Sequence, residues 1–201
     1  MLVVVSGKIQ FDEEKSAAAI SYLASKRIQG LSKGKICKLI FLADKCHLVR
    51  YGRPITGDKI CAMKDGPVPS GILNMLNRFL ADPADPAVAI LSESVSVDRA
   101  YIHPHFQSDD FRLRDFLSDT DVEALDATIA RFGDKTFSEL RAITHEMPAY
   151  YKAWNDNRPH DSPAMDFEDF FEEDDDAIEA ARQEMLDNLN IRKALTSIAS
   201  V

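Results

Sequence analysis

One helix and its boundaries constrain this chain more than any other feature. Between Ser32 and Gly52, the residues Ile36, Leu39, Ile40, Ala43 and His47 recur at the three- and four-residue spacing of a single helical face. Ser32 can cap this amphipathic helix, and Gly52 with Pro54 ends it. Residues 55–63 are too short and too turn-rich for another helix and read as one or two small strands. Gly66-Pro67 then opens a third helix, because a proline in the first turn lacks only a donor that would have no partner there. That helix runs to about Leu80 with Ile72, Leu73, Met75, Leu76 and Phe79 mostly inward. The whole stretch holds no arrangement of nucleophile, base or metal ligands and reads as part of a binding surface.

Further elements surround it. Residues 2–5 are a β-branched run fit for an edge strand or an ordered arm. Asp12 caps a first helix with Glu13 and Glu14 in its opening turn, an apolar stripe from Ala17 to Ile28, and Gly30 as its stop. Residues 81–87 are a loop, 88–97 alternate as an antiparallel strand does, and 101–106 return beside it. Val122, Leu125, Ile129 and Phe132 stripe a helix that begins at Ser118 and closes at Gly133. Thr136 and Glu139 form a capping box for the next helix, which runs to His145 and stops before Pro148. Residues 155–163 are a proline-punctuated loop or linker. A last helix over about 176–198 presents Ile178, Ala181, Met185, Leu189 and Leu195.

Composition removes several function classes. The chain has 201 residues, a size that suits one domain with an appended segment, and 45% of them are hydrophobic, enough for a real core. It carries 24 basic against 33 acidic residues, a net charge of -9, which works against phosphate-led nucleic-acid binding and favours a basic protein partner. The opening MLVVVSGKIQ has no basic n-region, no apolar run is long enough to span a bilayer, and three cysteines cannot all pair within one chain. A cytoplasmic protein with reduced thiols is expected.

Cys37, Cys46, His47 and Cys61 lack the close spacing of zinc ligands, and His103-Pro-His105 has no obvious third ligand. Cys46 and His47 point about 100° apart on a helix and make no dyad. No nucleophile elbow, phosphate loop or dinucleotide fingerprint occurs. Two features suit contact with a macromolecule. The turn Asp65, Gly66, Pro67, Val68, Pro69 is a rigid launch for a helix whose free amides could attract carboxylates. Residues 166–176 hold eight acidic side chains in eleven, with Phe167, Phe170 and Phe171 on one helical face, either pinning the segment to the domain or docking on a basic partner. Trp154, with Tyr150 and Tyr151, either packs over the open edge of the core or anchors an interface.

The runs Lys38-Leu-Ile-Phe-Leu-Ala-Asp44, Tyr51-Gly-Arg-Pro-Ile55, Gly66-Pro-Val68 and His145 to Trp154 resemble, in order and spacing, the SocA-like antitoxin family, also called the Panacea domain. The likeness spans about Ser21 to Trp154. It implies a mostly helical domain that neutralises a protein toxin, in some members by delivering it to a protease, and some relatives sit in mobile elements. It also implies that Leu39, Leu42 and Ala43 are core, that Asp44 and Gly66-Pro67-Val68 are signature positions, and that His145 and Trp154 form a closing pair. Asp65 departs from the family, where an aromatic residue often stands, and Lys45-Cys46 replaces the usual small or aromatic residues.

These readings give a mainly α (α+β) domain of six or seven helices with one small β element after the second helix. Residues 1–154 form the domain, and residues 155–201 form an acidic loop and helix packed on it. The expected function is that of a non-enzymatic, cofactor-free antitoxin. Its partner-binding residues would be Asp44, Asp65, Gly66, Pro67, Val68, Pro69, Trp154, Phe167, Phe170 and Phe171. The expected partners are a protein toxin and a possible protease, with no membrane and no nucleic acid. Two alternatives from other classes are a metal- or thiol-dependent hydrolase using His145 with Cys61 or His103, and a phage-associated structural protein.

Overall fold

A computed structural model describes residues 9–105, 112–155, 162–171 and 176–199. Its elements run α1 (Glu13–Ser25), α2 (Lys33–Tyr51), β1 (Ile60–Met63), β2 (Gly66–Pro69), α3 (Ser70–Ala81), α4 (Ala89–Ser92), β3 (Val95–Asp98), β4 (Tyr101–Pro104), α5 (Asp119–Phe132), α6 (Phe137–His145), α7 (Pro148–Asn155) and α8 (Asp176–Ala199). The fold is mainly helical, with two separate antiparallel hairpins, β1–β2 and β3–β4. Eight helices stand among the described residues, where six or seven were expected. The expected arm at residues 2–5, most of the loop at 155–163, and the side chains of Ile178 and Leu195 lie outside the described residues.

Helix α2 is the axis of the molecule. Its caps are those expected, Ser32 accepting from the Lys35 amide and Gly52 closing the C-terminus in the left-handed region. The expectation of an amphipathic helix is corrected, because every residue from Lys35 to Asp44 is buried. Helices α1, α3, α5, α6 and α8 and strand β2 all pack on it. Over that enclosed stretch the helix has no solvated face, so its polar residues must bond inside the protein. Lys35 Nζ donates to the carbonyls of Gln29 and Gly133, each at 2.9 Å. Burial, the largest effect on Lys35, lowers the pKa of that amine.

Several boundaries differ from the sequence expectation. Helix α1 stops at Ser25 rather than Gly30, with Arg27 at φ 52° turning the chain out of the helix. Residues 88–97 are a strand only from Val95. Val88 and Leu91, three apart, both bury, and the chain makes one helical turn there first. Pro148 starts α7, a further helix in the aromatic run, for which no helix was read. The strand read at 88–97 and the return read at 101–106 do pair, as the second hairpin, with Val95 opposite Pro104 and Val97 opposite Ile102. The caps of α5 (Ser118 with Asp121) and α6 (Thr136 with Glu139) are capping boxes, each side chain meeting the other's amide.

The acidic segment is attached through its phenylalanines. Residues Phe167–Phe170 make a 3₁₀ turn, and Phe170, 1% exposed, sets its ring edge-on to Phe41 of α2 at 5.7 Å. Met165 donates its amide to the Ile60 carbonyl, which ties the segment to β1. Helix α8 then lies along α2, with Ala181 and Met185 buried and Leu189 half-buried.

A candidate partner-binding cleft at the signature hairpin

Gly66-Pro67 does not lie in a helix, contrary to the sequence expectation. Met63 pairs with Gly66 and Ile60 with Pro69, so the Gly-Pro-Val-Pro run is strand β2, and Lys64 and Asp65 form the tight turn. The helix after it starts at Ser70, and its first amides are already occupied. Asp58, buried, accepts from the amides of Gly71 and Ile72 at 2.8 Å each. That carboxylate is the anion that a helix N-terminus favours, so this chain fills its own site. Burial raises the Asp58 pKa, and the Ile72 and Gly71 amides work the other way.

Asp44, expected as a signature position, is likewise internal. It is 1% exposed and accepts from the Ile55 and Thr56 amides at 2.9 Å and from the Thr56 hydroxyl at 2.5 Å. Burial pushes its carboxyl up to about 7 against the pull of those Thr56 and Ile55 donors. Its role is to fasten the chain that leaves α2. The neighbouring Tyr51-Gly-Arg-Pro motif serves the same junction. His47 Nδ1 lies 2.7 Å from the Arg53 carbonyl, and Arg53 and Lys15 reach the buried Asp121 of α5 at 3.0 and 2.7 Å. Burial raises the Asp121 pKa, but the bonds from Lys15 and Ser118 and the Arg53 charge outweigh it and hold that carboxyl low.

Lys38, in the same motif as Asp44, clamps the hairpin. Its ammonium donates to the Pro67 carbonyl at 2.7 Å, and the residue is 1% exposed. Gly66, at φ +94°, passes so close that a Cβ there would meet Lys38 Nζ at 2.8 Å, Thr144 Oγ1 at 2.9 Å and His145 Cδ2 at 3.0 Å. Only glycine fits that conformation and that gap. On the far side, Arg141 of α6 pairs with Asp65 at 2.9 Å, and Tyr150 of α7 donates its hydroxyl to the Met63 carbonyl at 2.8 Å.

The expected closing pair becomes a three-ring stack. His145 and Tyr150 lie 4.6 Å apart, and Tyr150 and Trp154 6.0 Å apart, both nearly parallel. Burial, and then the positive charges of Arg141 and Lys38, lower the pKa of His145. Trp154 then faces a cleft of about 420 Å³ whose walls include Val68 and Met63 of the hairpin, Leu73 of α3 and Phe137 of α6. Lys33 and Lys64 stand at the same cleft, with Asp65 between hairpin and α6. Phe137 reaches it because Gly34 lacks a side chain, and a Cβ there would come within 2.8 Å of the ring.

The ten expected contact residues therefore separate by depth. Asp44, Gly66, Pro67, Pro69 and Phe170 are buried and lie beneath the surface of the chain. Asp65 is exposed, while Val68, Trp154, Phe167 and Phe171 are half-buried. Phe137 was not singled out in the sequence and Leu73 was read only as an inward residue of its helix, because the helices that carry them meet at the cleft only in three dimensions. The residues weighed for hydrolysis stand differently. Cys61 is buried in β1, and His103 belongs to the other hairpin, on β4. Burial pushes the Cys37 thiol up to about 12. Among the described residues, no three His, Cys, Asp or Glu side chains gather as metal ligands would.

A family model, antitoxin SocA-like, Panacea domain, matches residues 36–155. The chain belongs to the SocA-like antitoxin, Panacea domain family. The matched region runs from α2 to the end of α7 and so contains the Lys38 clamp, the hairpin and the ring stack. No curated protein and no solved structure matches the chain. Among the described residues, no helix is long and apolar enough to cross a membrane.

Proposed function

We propose that this Panacea-domain chain is the antitoxin of a toxin–antitoxin pair. It works in the cytoplasm without catalysis or cofactor and grips its toxin through the cleft beside Trp154. The observation that carries this reading is the convergence of residues from several parts of the matched region on one solvent-open apolar cleft. Lys38, Gly66, Pro67, His145 and Trp154 come from four different elements, and all serve to hold Val68, Met63, Phe137 and Trp154 around one space. Aromatic residues flanked by apolar groups and rimmed by charge carry most of the binding energy at protein interfaces. Such a rigid patch either covers the toxin's working surface or presents the toxin to a protease.

The test is co-expression with the product of the adjacent gene. The wild-type chain is expected to restore growth and to co-purify with that product. Trp154→Ala and Val68→Asp, both half-buried positions, should lose rescue and capture while keeping a cooperative thermal transition. Rescue that survives both changes would remove the cleft from the account. Absence of any toxic or co-purifying neighbour would remove the antitoxin reading. Toxin levels in protease-deficient cells then separate the two routes: delivery requires the protease, and occlusion does not.

A further inference from the structure

A second groove lies further along α2, between that helix, the C-terminal half of α5 and the end of α6. It encloses about 890 Å³. Its floor is apolar, built from Leu42 and Val49 of α2, Phe132 of α5, Ile143 of α6, Met147 and Phe170. Cys46, Val49, Phe132, Ile143 and Met147 are only half-buried, so the floor remains open to an occupant. Lys45 and Arg50 rise from α2, and Arg131 and Lys135 from α5 and the turn after it.

The charge of this groove runs against the rest of the molecule. Among the described residues its lining holds four cations and no carboxylate, in a chain whose net charge is -9. Arg50 pairs with Glu123 at 3.0 Å and Lys135 lies 3.5 Å from Asp134, both carboxylates outside the groove lining. Arg131 lies over the Phe132 ring at 5.0 Å, held at the rim by the floor it borders. Exposed pairs such as these are worth little and exchange readily for a better-placed carboxylate.

We infer that this groove docks an amphipathic segment of a partner protein, with apolar side chains at helical spacing and Asp or Glu along its edges. Cations on two walls around an apolar floor match the two charged flanks and the single apolar stripe of such a segment. The groove extends the partner-binding reading to a second face and rests on it, in that both hold the chain to act by binding protein. Its test uses no toxin, so the two readings fail separately.

The probe is a displayed library of random peptides about 16 residues long, some 24 Å of helix, selected on the immobilised full chain. Enriched peptides are expected to combine apolar residues at i, i+3/i+4 and i+7 with acidic flanks. A fluorescein-labelled copy should lose at least about tenfold in affinity to the Arg131→Glu/Lys135→Glu variant and to the milder Arg131→Gln/Lys135→Gln one. It should also weaken with salt, and stay within about twofold for Val68→Asp at the other cleft. Failure to enrich any peptide above a blank support overturns the proposal. So do enriched peptides without acidic residues, or binding that neither variant weakens. Self-association that the charge reversal abolishes would assign the groove to a second copy of this chain and overturn it as well.

Discussion

Lys38 donates to the Pro67 carbonyl at 2.7 Å from a site where 1% of the residue meets solvent, and no carboxylate among the described residues forms an ion pair with it. A charge so placed is costly, and burial, its largest influence, lowers the ammonium from its ordinary 10.5 to about 8. The folded chain therefore releases this proton before the unfolded chain does. Stability rises with pH wherever the unfolded state binds more protons. Between about 8 and 10.5, Lys38 should make the protein more stable as pH rises. Urea melts of wild type and Lys38→Met across that window should differ by this slope. Parallel curves would show that the amine is not desolvated.

Gly66→Ala is expected to cost at least about 2 kcal/mol, since the residue would carry a Cβ at φ +94° with Lys38 Nζ 2.8 Å away. A Gly66 variant is thus a probe of folding more than of contact, and the turn's role in binding is better examined at Asp65. Chemical denaturation measures the first effect, and capture of the partner by Asp65→Ala measures the second.

Asp58→Ala should cost about 3 kcal/mol, because it strips the buried acceptor from the Gly71 and Ile72 amides. Asp58→Asn, which keeps one acceptor, should cost less. Equal losses from the two in a thermal or urea melt would show that packing, and not the cap, is what matters there.

Phe170→Ala should destabilise by about 3–5 kcal/mol through the cavity left beside Phe41 and Phe167. Asp169→Ala, which loses only the exposed pair with Lys152 at 2.7 Å, should change stability by less than about 1 kcal/mol. The contrast tests whether the phenylalanines, and not the charges, hold the acidic segment to the domain.

Cys46 is half-buried on the floor of the basic groove, whereas Cys37 and Cys61 are buried. Maleimide should therefore label one thiol quickly in the native protein and three after denaturation, as read by intact mass. A groove-bound peptide should slow the first labelling. Rapid labelling of two thiols in the folded state would contradict the burial of Cys37 or Cys61.

Local chemistry made a large part of this fold legible. The caps at Asp12, Ser32, Ser118 and Thr136 each show in the chain because the bonds they make are to amides three residues on. The stripes of α3 and α5 were visible for a similar reason, since one face of each helix stays wet. Helix α2 misled for the opposite reason. Lys35, Lys38 and Asp44 look like a solvated face, yet each finds its partner between 6 and 98 residues away, at Gln29, Gly133, Pro67 or Thr56. Glycine followed by proline also suits either a helix start or a strand, and pairing with Met63 selected the strand.

Chain order alone carried the family motifs, the cap positions and the apolar periodicity, because all of these depend on neighbours within a few residues. It could not say that Asp44 and Phe170 face inward while Val68 and Trp154 meet a cleft, nor that four cations from α2, α5 and the turn after α5 would share one groove. Those arrangements depend on how separate helices pack around α2. Burial there turns ordinary surface residues into internal clamps, and the space left between the helices becomes the surface available to a partner.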